Sequence, residues 1–359
     1  MNQLAGDEEI ETSNEQEYFM KNRILEILKS SEGFQSGQTI SQLTGVSRAA
    51  VWKHIQQLRE SGYEIDAKTR CGYRLSREAD VFSQQSLEQW FSQSAGQQLN
   101  ELIFEQTATS TNTIARQAAE RGAPDRTVCV AEQQTAGRGR RGRSWHSDAT
   151  GSLTFSILYR PKLEPAAVSS VTLLAGLAVA RGLNGLLDRV NPTDGNKQSD
   201  KSARIGLKWP NDLIISGSKK KLGGILTEAI LEESRVDALI IGVGINLNQT
   251  DFPPDLQHLA TSLKNEFTVP FRRLEVLDQL VRYLDIYYNR LPERDSWLAE
   301  YRSQCLTLGK PVWVINQTGE KWSGIAREIT DSGELVVEQS NGEQVTVYSG
   351  EVSVRWAKS

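Results

Sequence analysis

The stretch AGRGRRGRSWHSDATGSLTFSILY (residues 136–159) decides the fold. Gly137, Gly139 and Gly142 match the G-x-G-x-x-G spacing of a dinucleotide-binding turn. That turn works because a helix opens directly on its glycines and aims its N-terminus at a pyrophosphate. Here the glycines lead into a polar turn and then an apolar run of strand length, so the doubly wound nucleotide fold is excluded, and no phosphate-loop motif occurs elsewhere. What remains is a flexible loop with Arg138, Arg140, Arg141 and Arg143, able to gather guanidiniums and bare backbone N–H groups around an anion. A nucleotide phosphate and a nucleic-acid backbone both qualify as that anion.

The rest of the chain narrows the choice. It has 359 residues, 38% apolar and 24% charged, enough for two or three domains with real cores. A formal net charge of −4 excludes wholesale coating of nucleic acid, so anion binding must be local. Three cysteines at wide spacings (Cys71, Cys129, Cys305) suit neither a disulfide framework nor a zinc site and point to a reducing cytoplasm. Residues 1–17 are acidic and polar, the composition of a disordered tail rather than a secretion signal, and no apolar run is expected to reach the ~18 residues of a membrane span.

Upstream, Phe19, Ile24, Ile27 and Leu28 recur at helical spacing, and TISQLTGVSRAAVWKHIQQLRESGY (39–63) follows. Ile40 and Leu43 mark a short helix, Gly45 and Val46 a tight turn, and Ser47 the N-cap of a helix bearing Val51, Ile55 and Leu58: a helix-turn-helix. EIDAKTRCGYRL (64–75) reads as a two-stranded wing. Ser47, Arg48, Lys53 and His54, with Arg59, on the second helix, and Lys68 and Arg70, with Arg74, at the wing, gather where DNA phosphates would lie. Domain limits are expected at 18–80 for this winged helix, 81–305 for a central α/β domain with an exposed, mobile insert at 191–204, and 306–359 for a small all-β barrel of short strands and Gly, Asn and Asp turns.

Within the central domain, TSTN (109–112), KWPNDL (208–213), KLGGIL (221–226) and GVGINLN (242–248) accompany the basic loop. In this order and spacing they closely resemble the bacterial biotin protein ligases, and the winged helix in front resembles their bifunctional ligase/repressor subgroup. The resemblance spans about 18–359. It implies a multidomain α+β architecture: an N-terminal winged helix-turn-helix, a central α/β ligase domain like that of class II aminoacyl-tRNA synthetases, and a C-terminal SH3-like β-barrel.

The same resemblance implies a two-step reaction with ATP, Mg²⁺ and biotin: formation of biotinyl-5′-AMP, then transfer of biotin to a lysine of the biotin carboxyl carrier protein. Operator DNA and a second copy of the chain are the further partners implied, the adenylate-bound dimer acting as repressor; no membrane is. Ser110, Thr111, Asn112 and Gln134 are expected to bind biotin with Arg138, Gly139, Arg140, Lys208, Gly224 and Gly242. Arg140, Arg141, Trp145, Asn211, Lys221 and Asn246 are expected on the nucleotide, Asp212 on Mg²⁺. Lys208, Arg138 and Arg140 are the catalytic set, Lys208 bridging carboxylate and α-phosphate, while the loop closes over the ligand and shields it from water. Gly223 and Gly244 would permit either close backbone approach to ligand or tight strand packing. The loop NQTDFPPDLQHLATSL (248–263) resembles the family's nucleotide-side loop but lacks tryptophan, leaving His258 or Leu259 to stack on adenine. Three rivals remain: a lipoate or octanoate ligase of the same fold, a regulator that only senses its ligand, and an RNA- or DNA-binding protein that uses 137–143 as a nucleic-acid patch.

Overall fold

The structure is a computed structural model that describes residues 20–356 apart from 22, 32, 61–62, 78–79, 81, 94–98, 148–150, 191–202, 317 and 350–352. The acidic tail and nearly all of the 191–204 insert lie outside the described residues. Two compact units form, one up to Val81 and one from Phe82 onward.

The first unit contains a helix over 23–29 (α1), α2 (Gly37–Thr44), α3 (Arg48–Glu60) and a hairpin of β1 (Glu64–Lys68) and β2 (Gly72–Arg77). Ser36 caps α2 by accepting from the Thr39 N–H, and Gly45 ends it in the left-handed region at φ 76°, which makes the sharp turn between the two helices. Ser47 caps α3 through the Ala50 N–H at 3.2 Å. Ile24, Leu28, Ile40, Val51, Ile55 and Leu58 close the core, with Ile65 from the wing.

In the second unit a seven-stranded sheet runs in the order β3-β4-β5-β9-β8-β7-β6, antiparallel except for the β3–β4 pair. The strands are β3 (Glu101–Ala108), β4 (Thr127–Gln134), β5 (Ser152–Tyr159), β6 (Ile205–Lys208), β7 (Asp212–Ile215), β8 (Lys221–Glu232) and β9 (Arg235–Asn246). Side chains alternate between its faces. Val128, Val130, Ile157, Leu239 and Ile241 face α6 (Val168–Val190), α8 (Arg273–Asn289) and α9 (Arg294–Gln304), whereas Cys129, Ala131, Leu158 and Ile240 face the small, alanine-rich α5 (Thr111–Glu120). Helix α4 (Gln84–Gln93) covers part of the first face through Leu87 and Trp90. Burial pushes the Cys129 thiol up to about 12, which leaves it inert.

One expectation is overturned here. The segment Pro165–Arg189, mostly α6, is long and apolar enough to cross a membrane, with mean hydropathy 1.6 in its most apolar window. Leu173, Leu177, Ala178, Val179, Ala180 and Leu183 are nevertheless packed in the protein interior, where an all-round apolar helix belongs.

After a short helix, α7 (Leu263–Phe267), and then α8 and α9, five antiparallel strands make the terminal barrel: β10 (Pro311–Ile315), β11 (Lys321–Ile329), β12 (Leu335–Glu338), β13 (Gln344–Val347) and β14 (Ser353–Trp356), in the order β13-β12-β11-β10-β14. Val312, Val314, Ile329, Leu335 and Val337 join the same hydrophobic core as the central sheet, so barrel and sheet are fused rather than strung together. Trp209, 1% exposed, fastens them: its indole donates to the Gly333 carbonyl at 3.0 Å and its backbone N–H to Thr307 Oγ1 at 3.0 Å.

A charged pair lies wholly inside. The Arg273 guanidinium meets both Glu132 oxygens at 2.9 and 3.0 Å, stands over the Phe82 ring, and shares Glu132 with the Phe82 N–H. Removing one member of such a pair strands the other charge in low dielectric. Arg273→Leu is expected to cost about 3–5 kcal/mol of stability by that principle, read in urea unfolding followed by circular dichroism, whereas Arg272→Leu, exposed one residue away, is expected to change it by less than about 0.5 kcal/mol.

Candidate functional site

The α5 face of the sheet carries the site. Along β5 the residues on that face are Ser152, Thr154 and Ser156, and the register sets Ser156 beside Gly242, Thr154 beside Gly244 and Ser152 beside Asn246 of β9. Glycines there leave a shallow floor. On β8, Gly224 stands next to Gly244 and Leu226 next to Gly242. A Cβ on Gly242 would lie 2.0 Å from Asn112 Oδ1 and one on Gly244 2.8 Å from the Trp145 ring, so these glycines admit other parts of the site. Gly223 points to the opposite face, against Ile245 and the Gly244 carbonyl; its glycine serves strand packing alone.

α5 brings in its first turn. Ser110 is its N-cap, accepting from the Thr113 N–H, and Thr111 and Asn112 follow, all three 3% exposed. The Thr111 N–H donates to Gln134 Oε1 at 2.8 Å; a backbone N–H can only donate, so it fixes that amide with its NH₂ free to face away. Ser156 Oγ stands 2.7 Å from Asn112 Oδ1 and 2.8 Å from Thr111 Oγ1, and Asn112 Nδ2 donates to Glu228 Oε2 at 2.8 Å. Ser156, Thr154 and Glu228 escape sequence reading because each sits in an apolar strand; the alternation of Ser and Thr in SLTFSILY was the one available signal.

The basic loop closes this wall. Its own backbone bonds make it a compact hairpin, Gly139 N–H to Arg143 O at 2.7 Å and Trp145 N–H to Gly137 O at 2.8 Å, more order than its glycines suggest. Arg140 Nη1 donates to Asn211 Oδ1 at 3.1 Å, while Nη2 is buried with no partner among the described residues. Burial moves the Arg140 guanidinium below its ordinary pKa, against a raising influence from Asp212. Arg138 reaches Glu228 at 3.5 Å and Thr113 Oγ1 at 3.4 Å. Arg141 reaches the barrel, at 3.4 Å from the Ile315 carbonyl and 3.3 Å from that of Asn316.

Two adjoining pockets result. The first is lined by Ser110, Thr111, Asn112, Gln134, Arg138 and Arg140, with Gly139, Arg141, Thr154, Asn211, Gly224 and Gly242 completing it. The second is lined by Lys208, Lys219, Asn246, Phe252, Leu256, His258 and Leu259. Trp145, Asp212 and Lys221 belong to both. Asp212 Oδ1 takes the Lys221 ammonium at 2.6 Å and Oδ2 stands 3.9 Å from Lys208 Nζ, across one turn of the β6–β7 connection. Asn211 spends its amide on Arg140 and on the Ile225 carbonyl, and Asn246 donates to the Thr261 carbonyl. Phe252, which sequence reading passed over, lines this pocket with His258, Leu259 and Trp145.

As a metal ligand Asp212 stands alone. Among the described residues it is the only acidic side chain lining either pocket, and no group of three His, Cys, Asp or Glu gathers anywhere among them. A Mg²⁺ that keeps its waters and is held mainly by nucleotide phosphates fits such a site; a fully protein-bound metal does not.

In the first unit the DNA-facing set needs correction. Ser47, Arg48, Lys53, Lys68 and Arg70 are exposed. His54 is not: it is 7% exposed, with Nδ1 held 3.0 Å from Gln57 Oε1, because it lies on the buried side of α3 beside Ile55 and Leu58. Arg59 clamps the Ile65 carbonyl at 2.6 and 3.1 Å, tying α3 to the wing, and Arg74 pairs with Asp66 at 2.7 Å. The Arg74 hydrogen bond lowers the Asp66 pKa.

Comparisons agree with this geometry. Residues 103–246 match the model of the biotin/lipoate A/B protein ligase family, residues 21–74 a helix-turn-helix domain, and residues 307–355 the biotin protein ligase C-terminal domain. The bifunctional ligase/repressor BirA of Bacillus subtilis is 35% identical over 329 residues, covering 89% of this chain and 94% of that protein. The BirA of Escherichia coli is 29% identical, covering 94% and 97%. Biotin protein ligase from Aquifex aeolicus in complex with biotin and ATP superposes with a TM-score of 0.57 at 28% identity, covering 72% of this chain and all of that one. The chain therefore belongs to the biotin protein ligase family, in the bifunctional ligase/repressor group.

Proposed function

We propose that this protein is an ATP-dependent biotin protein ligase that forms biotinyl-5′-AMP, transfers biotin to a lysine of the biotin carboxyl carrier protein, and, loaded with the adenylate, represses transcription as a dimer on operator DNA. The observation that carries the ligase reading is the Arg140 nitrogen buried, without a partner among the described residues, in the wall of the first, polar pocket. A buried cation with an unspent donor asks for an anion.

Biotin enters the first pocket. Its ureido ring offers two N–H donors and a carbonyl to the Ser110, Thr111, Asn112 and Gln134 wall, a set of polar groups that an unadorned acyl chain would leave unpaired. That argues for biotin over octanoate. Adenine enters the second pocket between Trp145 and the Phe252, Leu256 and Leu259 wall, so the biotin carboxylate and the α-phosphate meet over Asp212, Lys208 and Lys221.

A biotin carboxylate oxygen attacks the α-phosphorus, the bond from that phosphorus to the bridging oxygen breaks, and pyrophosphate leaves with its electron pair. Both reactants are anions, and Lys208, Arg138 and Arg140 neutralise the charge gathering on the five-coordinate phosphorus. Asp212 would help to hold a Mg²⁺ that enters with ATP, and that ion would supply charge neutralisation on the departing phosphates. In the second step the neutral amine of the acceptor lysine attacks the acyl carbon, AMP leaves, and the amine loses its proton. Three free thiols, two of them buried, suit a cytoplasmic setting.

For the repressor half, Arg48, Lys53, Lys68 and Arg70 contact phosphates while the N-terminal part of α3 enters the major groove. One winged helix makes few contacts, so two copies reading two half-sites are required, and the adenylate promotes their pairing.

The ligase test offers biotin and octanoate in parallel to a carrier domain with ATP and Mg²⁺, read by intact-mass spectrometry. Biotin transfer by the wild type is expected, with Lys208→Ala slowed by about 100-fold or more, as for loss of a single charge-stabilising donor; transfer of octanoate instead overturns the substrate assignment. Gly242→Ala, whose methyl would displace Asn112, is expected to raise the KM for biotin at least tenfold and leave that for ATP nearly unchanged. For the repressor half, loading with biotin and ATP is expected to raise the dimer fraction in sedimentation and the affinity for the operator together. The Lys53→Ala variant should lose DNA affinity and lower the salt slope by about 1, while dimerising normally.

A further inference from the structure

The wall of the biotin pocket is wired to a carboxylate outside the pocket. Glu228 of β8 lines neither pocket, yet its Oε2 accepts from Asn112 Nδ2 at 2.8 Å, while Arg138 stands 3.5 Å away and Arg116 3.8 Å. Asn112 in turn meets Ser156, and Ser156 meets Thr111.

The direction of that chain is not set by its middle members. A serine or threonine hydroxyl donates or accepts as its neighbour requires, and an asparagine amide can turn over to exchange its ends. A carboxylate can only accept. Glu228 therefore holds the Asn112 NH₂ toward itself, seconded by the Leu226 carbonyl at 3.3 Å, and turns Oδ1 toward Ser156. Ser156 has one proton, and Asn112 Oδ1 at 2.7 Å and Thr111 Oγ1 at 2.8 Å both stand as its acceptors. Thr111 and Asn112, which line the first pocket, then meet a ligand with their hydrogen-bonding roles already fixed.

We propose that Glu228 is a positioning residue for ligand recognition: it sets the polarity of the Asn112–Ser156–Thr111 chain so that this wall offers a cyclic urea one fixed pattern of donors and acceptors, while Gln134, held by the Thr111 N–H, turns its NH₂ outward. This rests on the assignment of the first pocket to biotin. Register supports it, since Glu228, Leu226 and Gly224 alternate on the same face of β8 and only Glu228 lies one strand step beyond the glycine floor.

Steady-state biotinylation of the carrier domain tests it with Glu228→Ala, Glu228→Gln, Ser156→Ala and Arg116→Ala, each checked for an unchanged thermal midpoint. Glu228→Ala and Ser156→Ala are expected to raise the KM for biotin about tenfold with kcat within about twofold. Glu228→Gln, which still offers Asn112 an acceptor oxygen, should recover to within about threefold of wild type, and Arg116→Ala should match it. Equal impairment by Gln and Ala would mean that the carboxylate acts by charge on Arg138 and would overturn the proposal, as would a Glu228→Ala enzyme with wild-type KM. Should Glu228→Ala not fold, Ser156→Ala with Glu228→Gln decides: an unaltered KM in Ser156→Ala overturns it. A wild-type enzyme that fails to transfer biotin refutes the pocket assignment itself, before any variant is compared.

Discussion

Asp212 is the constraint around which the site is arranged. The proposed function asks Lys208, Lys221 and Arg140 to stand close enough together to act on one phosphorus, and like charges in a half-buried pocket repel. Asp212 sits between the two ammoniums, 2.6 Å from Lys221 and 3.9 Å from Lys208, and its field favours the charged form of Arg140 against the desolvation that opposes it. It can do so only because the β6–β7 connection is a tight turn, with Lys208 paired directly opposite Asp212 in the ladder. One carboxylate among three cations leaves a net positive pocket, which is what two anionic reactants require.

From that turn the rest of the architecture follows. Trp209 lies between Lys208 and Asp212 in sequence, and its indole is locked to the Gly333 carbonyl of the barrel while its backbone N–H meets Thr307. Arg141, at the tip of the basic loop, reaches the end of β10. The terminal barrel thus braces both the lysine-bearing turn and the ligand loop, and the shared hydrophobic core makes it part of the catalytic body.

The sequence made local features legible and left long-range pairings hidden. Ser47, Gly45 and the wing could be read because caps, turns and alternation act within a few residues. The basic loop stood out because its arginines cluster in an otherwise acidic chain, and Lys208 because it and Asp212 bracket a Trp-Pro turn. His54 was misassigned since helical spacing alone does not say which flank of α3 is buried; its neighbours Ile55 and Leu58 place it inside. Glu132 and Arg273 lie 141 residues apart, and neither carries any local mark of its partner. Ser156 and Glu228 are likewise single polar residues in apolar strands, and only the register of β5, β9 and β8 brings them to one wall.

That register also explains why the two kinds of glycine could not be separated beforehand. Gly223 and Gly224 are neighbours in sequence and face opposite sides of the sheet, so one is demanded by packing against Ile245 and the other opens beside Lys221 and Asn211. A strand alternates its faces at every residue, and a Gly-Gly pair necessarily serves both. Gly242 and Gly244, two apart, share a face, and there the absent side chains are replaced by Asn112, which lines the first pocket, and Trp145, which lines both. The spacing between those glycines fixes the separation of the head-group wall from the indole that divides the two pockets. Under the proposed function, a substrate in the first pocket is measured against that strip of β9, so that its reactive end arrives at the lysine turn.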